Sequence, residues 1–201
     1  MERSTSYEEQ RLEIQVAQDS AKTQAERNQM GQFATPTKLA ADMLRYARQL
    51  LSQNISIRFL DPGFGTGSFF SALIRTFPLK RIEAAKGFEI DEHYGMPALK
   101  LWKDTPLNLT LEDFTRSEPP KKEEDRFNLI ICNPPYVRHH HIVNGEKTRL
   151  QSDVEKVCGV RISGLAGLYC YFLILSHRWM TESGIAGWLI PSEFMDVNYG
   201  K

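Results

Sequence analysis

Asn133-Pro134-Pro135-Tyr136 is the stretch of this sequence best equipped for chemistry. Neither proline carries an N–H, and each restricts the residue before it to extended backbone, so the turn is stiff and offers mainly carbonyl acceptors. Asn133 adds a carboxamide oxygen, and Tyr136 adds a flat face on which a planar ring can stack. An aromatic amine, with two N–H donors on a stackable ring, matches that set. The same four residues would also serve as a strand-ending turn around an ordinary buried tyrosine.

Four further groups are spaced to hold a ligand beside this turn. Asp61-Pro62-Gly63-Phe64-Gly65-Thr66-Gly67 is a glycine loop between an apolar run and a helix, where Gly63, Gly65 and Gly67 let backbone turn tightly and a ligand approach it. A dinucleotide-binding loop would place a further glycine at position 68 or 70, and those are Ser68 and Phe70. The Asp61 carboxylate would oppose a pyrophosphate and suit an amino group with a sulfonium nearby, which points to S-adenosylmethionine rather than NAD or ATP. A glycine turn without a ligand is the plainer alternative. Glu89 follows Gly67 by 22 positions, near the spacing at which an acid meets ribose hydroxyls. Asp113 can accept from an adenine amine while Phe114 packs on its ring. Upstream, Gly31-Gln32-Phe33-Ala34-Thr35-Pro36 reads as a loop in which Thr35 caps a helix begun by Pro36, with free N–H groups able to hold a carboxylate.

The elements that must position these residues follow from the hydrophobic pattern. Strands are expected at Ile57 to Leu60, Ala84 to Ile90, Leu107 to Leu111, Leu129 to Cys132 and Ile185 to Ile190, the last followed by Pro191-Ser192-Glu193-Phe194-Met195. Helices are expected over Tyr7 to Arg27, from Pro36 along Leu39, Met43, Leu44, Ala47 and Leu51, up to Thr76, from Asp91 to Lys103 and from Leu165 to Met180. The first should dock through a thin apolar face of Leu12, Ile14, Val16 and Ala17. Strand ends carrying polar residues at regular intervals imply an α/β, doubly wound, mostly parallel sheet with the site along its carboxyl edge. In such a sheet the first and fourth strands are neighbours, so the glycine loop would face Asn133. Arg138 to Arg161 reads as a long, mildly basic loop with room for a short helix, able to touch substrate or phosphate. Its His139-His140-His141 triplet does not have the spacing of a metal site, because consecutive residues converge poorly on one ion.

Composition narrows the classes. The 201 residues suffice for one sizeable core, and 25 basic against 25 acidic side chains leave no overall nucleic-acid signature. Cys132, Cys158 and Cys170 lie far apart without metal spacing, which suits a reducing, cytoplasmic setting. The apolar stretch Leu165 to Leu175 is too short to span a bilayer, and no membrane association is expected.

In order and type, the segments Gly31 to Pro36, Asp61 to Phe69, Glu89, Asp113-Phe114 and Asn133 to Tyr136 resemble the gamma-group adenine-N6 DNA methyltransferases of restriction-modification systems. The resemblance covers about residues 30 to 198. It implies a Rossmann-like S-adenosylmethionine-dependent methyltransferase fold, with residues 1–29 a helical segment outside the catalytic domain of 30–201. It also implies that Thr35, Asp61, Pro62, Gly63, Gly65 and Gly67 hold the cofactor's methionine part, that Glu89, Asp113 and Phe114 hold its ribose and adenine, and that Asn133, Pro134, Pro135 and Tyr136 grip a flipped adenine. Double-stranded DNA and a restriction endonuclease are the implied partners. The family continues past the fifth strand into further strands, a second base-covering aromatic and a target-recognition domain. These 201 residues are therefore expected to be an incomplete catalytic part that binds cofactor and methylates DNA poorly on its own. Protein glutamine methyltransferases, which present a similar turn, and ribosomal RNA adenine methyltransferases are the rival readings. A non-catalytic cofactor-binding subunit of a modification complex is another.

Overall fold

The computed structural model describes residues 2–159 and 161–192. Two N-terminal helices, α1 (Glu2–Ser20) and α2 (Gln24–Gln29), replace the single helix expected over Tyr7 to Arg27. The break falls before Thr23, whose side chain accepts from the Glu26 N–H while Glu26 reaches back, a reciprocal cap that starts a helix anew. Next come α3 (Thr37–Leu50), β1 (Ile57–Asp61), α4 (Ser68–Thr76), β2 (Ile82–Phe88) and α5 (Glu92–Trp102). They are followed by β3 (Leu107–Thr110), β4 (Phe127–Cys132), α6 (Asn144–Cys158), α7 (Leu168–Ser176) and β5 (Met180–Trp188). The segment from Arg138 to Arg161, expected as a long loop with a short helix, is thus mostly helix. Of the segment Pro191 to Met195, positions 193–195 lie outside the described residues.

The five strands form one parallel sheet in the order β3-β2-β1-β4-β5. β1 pairs with both β2 and β4, so the strand order reverses beside β1, where the carboxyl ends of an open α/β sheet leave a crevice. β4 is buried along its whole length, which explains the unbroken apolar run from Leu129 to Cys132. Alternation sorts the side chains to the two faces. Phe59, Leu129 and Ile131 join Leu44, Phe70, Leu73 and Trp102 on one side, while Leu60, Ile130 and Cys132 join Phe88, Phe114, Phe172 and Trp179 on the other. Among the described residues no helix is long and apolar enough to cross a membrane.

Arg149, the one arginine of α6, and Arg116 in the turn after β3 are not a free basic surface. Arg149 is paired with Glu146 and Asp153 and also donates to the Thr115 carbonyl at 3.0 Å, while Arg116 is paired with Glu146. They tie α6 to the turn after β3. Among the three histidines, which form one turn of 3₁₀ helix, the rings of His140 and His141 pack 4.2 Å apart.

Candidate active site

A cavity opens at the carboxyl edge of the sheet, walled by segments from across the chain. Thr35, Pro62, Gly63, Gly65, Glu89, Asp113, Phe114, Asn133 and Pro135 all line it. Asp61, Gly67, Pro134 and Tyr136 do not; they stand behind or beside the wall.

The glycine loop is built from both ends. Phe64 N–H donates to the Phe88 carbonyl at 2.8 Å, and Gly65 N–H donates to Glu89 Oε2 at 2.7 Å, so the ends of β1 and β2 share one loop. Gly65 has φ 55, a left-handed conformation that favours glycine, and a Cβ built there would meet nothing within 4 Å. Its backbone therefore stands open to the cavity. Glu89 also accepts from Asp91 N–H at 2.8 Å, and burial raises its carboxyl above the usual range against the effect of those hydrogen bonds.

Asp61 sits beneath the loop. Its Oδ1 accepts from Gly63 N–H at 3.2 Å, its Oδ2 is buried without a partner, and burial pushes the carboxyl up to about 8. Cys132 lies beside it, fully buried, and burial with the neighbouring Asp61 holds its thiol well above the usual range. A thiol so held is a poor nucleophile.

The Asn133 turn is zipped to the loop before α3. Tyr136 N–H donates to the Gly31 carbonyl at 3.2 Å. Asn133 Nδ2 donates to the Phe33 carbonyl at 2.9 Å and to Thr35 Oγ1 at 3.1 Å. Both donors of the amide are thus spent on the protein, which fixes the amide's orientation and leaves Oδ1 buried with no partner. An unpaired buried acceptor costs about 1–3 kcal/mol, so this oxygen is set for a donor from outside the chain. Thr35 does not cap α3 as expected. The helix begins at Thr37 without a side-chain cap, and the Thr35 hydroxyl serves Asn133 instead.

Tyr136 is held by its hydroxyl, which donates to the Leu189 carbonyl at 3.0 Å, and its ring stacks on half-exposed Phe33 at 5.5 Å between centroids. The flat face expected for a substrate ring is therefore shared with Phe33. Asp113 spends Oδ1 on the Thr115 N–H and hydroxyl, each at 2.8 Å, and Oδ2 on Arg116 at 3.3 Å. Phe114 is buried in an aromatic cluster with Phe88, Phe172 and Trp179.

Two lining residues, Gln15 and Asp19, come from α1 and were not among those singled out in the sequence. The signal was present: Glu8, Arg11, Gln15 and Asp19 recur every three or four positions and form one polar stripe on a helix. The lining side chains include four carboxylates, Asp19, Glu89, Glu112 and Asp113, and among the described residues no lysine, arginine or histidine. Such a wall suits a ligand carrying positive charge and repels a pyrophosphate.

Comparison with known proteins agrees with this architecture. The family profile described as Eco57I restriction-modification methylase matches residues 68–201. The type II methyltransferase M.AccI of Acinetobacter calcoaceticus is 30% identical over 176 residues, covering 87% of this chain and 30% of its own length. M.XamI of Xanthomonas campestris pv. amaranthicola, also a type II methyltransferase, is 33% identical over 180 residues, covering 85% of this chain and 32% of its own. The chain therefore spans about a third of the length of these curated relatives. In fold it is similar to a Listeria monocytogenes protein assigned to the class I S-adenosylmethionine-dependent methyltransferases, with a TM-score of 0.72 at 16% identity over 96% of this chain and 56% of that one. With a match across most of its residues and a sheet of the methyltransferase type, the chain belongs to the Eco57I restriction-modification methylase family.

Proposed function

We propose that this chain carries the catalytic centre of a DNA adenine-N6 methyltransferase that uses S-adenosylmethionine. The observation that carries the reading is the Asn133 amide, with both its donors spent on Phe33 and Thr35 and its oxygen buried and unpaired. Asn133 Oδ1 and the carbonyl of Pro134 accept the two N–H groups of an adenine's exocyclic amine. That nitrogen is a weak nucleophile because its lone pair is delocalised into the ring, and the two hydrogen bonds localise the pair on nitrogen and orient it. The base must leave its duplex to reach the turn, where Tyr136 and Phe33 offer aromatic surface.

The residues present fit the cofactor. Its cradle would be Gly63 and Gly65, with Thr35 beside them; Glu89 would take ribose hydroxyls, and Phe114 with Asp113 would border the adenine. The acidic lining agrees with a sulfonium bearing net positive charge. When bound, S-adenosylmethionine supplies an electrophilic methyl group. The chain's own contribution is orientation and the exclusion of water, which together account for several kcal/mol of barrier. Cys132, buried and protonated, has no part in covalent catalysis, in keeping with direct transfer.

The test is to incubate the longest obtainable chain that contains these residues with methyl-labelled S-adenosylmethionine and unmodified DNA, RNA and protein side by side. Label recovered as N6-methyladenine in DNA, and lost about 100-fold or more in Asn133→Ala at unchanged cofactor affinity, is the expected result. Label in protein or RNA would move the assignment to another acceptor, and normal transfer by Asn133→Ala would refute the role given to the amide.

A further inference from the structure

The N-terminal helix α1 docks by the face that sequence patterning would leave in water. Arg11 is 1% and Glu8 6% exposed, whereas Leu12 and Val16 are 41% and 65% exposed. Arg11 holds Glu8 with two hydrogen bonds of 2.8 Å and donates to Thr66 and Thr37 at 3.2 Å, so the first half of the stripe is spent on fastening. The second half reaches the cavity. Gln15 accepts from the Thr66 hydroxyl at 2.6 Å and donates to Asp19 Oδ1 at 3.0 Å. The same oxygen receives the Tyr94 hydroxyl at 2.9 Å. Asp19 is thereby held between the glycine loop and the first turn of α5, on a rigid element, with Arg27 as its cation at 3.8 Å. The chain that follows is pinned too, because Lys22 and Gln32 both bind Asp91, and the His93 ring meets the Gln18 carbonyl at 2.9 Å.

We propose that Asp19 is a cofactor-binding residue positioned by Gln15, with the Asp19 carboxylate accepting from a donor group of S-adenosylmethionine, a ribose hydroxyl or the α-ammonium. The inference rests on the cofactor reading above. It gives a binding role to a segment that lies before residues 68–201, where the family profile matches. Two carboxylates would then meet the cofactor, Glu89 from the end of β2 and Asp19 from α1. A carboxylate bond to a ligand donor is charge-assisted and is the kind whose removal is measurable.

The test is calorimetric titration of the 201-residue chain with S-adenosylhomocysteine and with 5′-methylthioadenosine, which lacks the amino-acid part. Wild type, Asp19→Asn, Gln15→Ala, Lys22→Ala and Glu89→Gln are compared, each with its ligand-free melting temperature. Asp19→Asn should weaken S-adenosylhomocysteine about tenfold while melting within about 2 °C of wild type. An equal loss for 5′-methylthioadenosine assigns the ribose as the donor; a loss confined to S-adenosylhomocysteine assigns the ammonium. Unchanged binding in Asp19→Asn and Gln15→Ala, with Glu89→Gln weakened, would overturn the inference and leave the cofactor reading standing. Affinity that falls only in step with melting temperature, and equally in Lys22→Ala, would also overturn it by reducing α1 to a brace. Failure of wild type to bind either ligand would refute the cofactor reading itself.

Discussion

Replacing Glu89 by glutamine changes one oxygen to nitrogen in a position where both oxygens are in use. The carboxylate accepts from Gly65 N–H at 2.7 Å and from Asp91 N–H at 2.8 Å. Whichever way the new amide turns, its NH₂ faces one of those two donors. A hydrogen bond to a charged acceptor contributes about 1.5–3 kcal/mol, and about 1.4 kcal/mol is a factor of ten in affinity. S-Adenosylhomocysteine should therefore bind roughly 10- to 100-fold more weakly, through the loosened Gly65 loop and the lost ribose acceptor together. The fold itself should tolerate the change, because the variant removes a buried charge that desolvation opposes. The ligand-free melting point should stay within about 4 °C of wild type. The pH dependence has a definite sign. Binding needs the ionised acceptor, and the Glu89 carboxyl is raised by burial, so wild-type affinity should fall on acidification at a higher pH than an ordinary glutamate would give. Calorimetric titration across pH 5 to 8 measures both effects. Binding by Glu89→Gln within about twofold of wild type would refute the claim that this carboxylate shapes the loop and meets the cofactor.

Two further outcomes are expected. Gly31→Ala would place a Cβ 2.4 Å from Tyr136 N at φ 64, so it should lower stability by about 2 kcal/mol or more and part the loop from the Asn133 turn; a thermal melt within about 1 °C of wild type would contradict this. Asp61→Asn should stabilise the ligand-free chain in a pH-dependent way. The folded carboxyl titrates at about 8 and the unfolded one near ~4, so wild-type stability is full below the lower value and declines as pH rises through the upper one. Scanning calorimetry should find the asparagine variant several degrees more stable at pH 8 and no different at pH 4; equal melting at pH 8 would mean that the carboxyl is paired.

Elements whose burial is apolar were the ones legible in the sequence. β4 announced itself by an unbroken apolar run from Leu129 to Cys132, and the glycine loop by residues that only a tight turn requires. The neighbourhood of β1 and β4 followed from the strand count and crossover rules. Polar packing was illegible. α6 read as a loop with a short helix at most because Arg149 is paired with Glu146 and Asp153 along its surface and with the turn after β3, and none of that shows in hydropathy. α1 misled for the same reason, since Leu12 and Val16 drew attention to the face that stays exposed. Within the site, residue types were readable and their partners were not. Thr35 has the side chain of a helix cap and spends it on Asn133, 98 positions away. Asp113 has the position of a ligand acceptor and caps its own short turn.

The polar seam under α1 also acts as a ruler. An apolar helix face tolerates sliding, because any methyl group packs nearly as well against the next hollow. The single hydroxyl of Thr66 accepts from Arg11 and donates to Gln15, a pairing that admits one rotation and one height only. A slip of one residue would turn the helix by about 100° and break both together. The position of Asp19 over the cavity is thus set to within a fraction of a turn by contacts made up to two turns earlier.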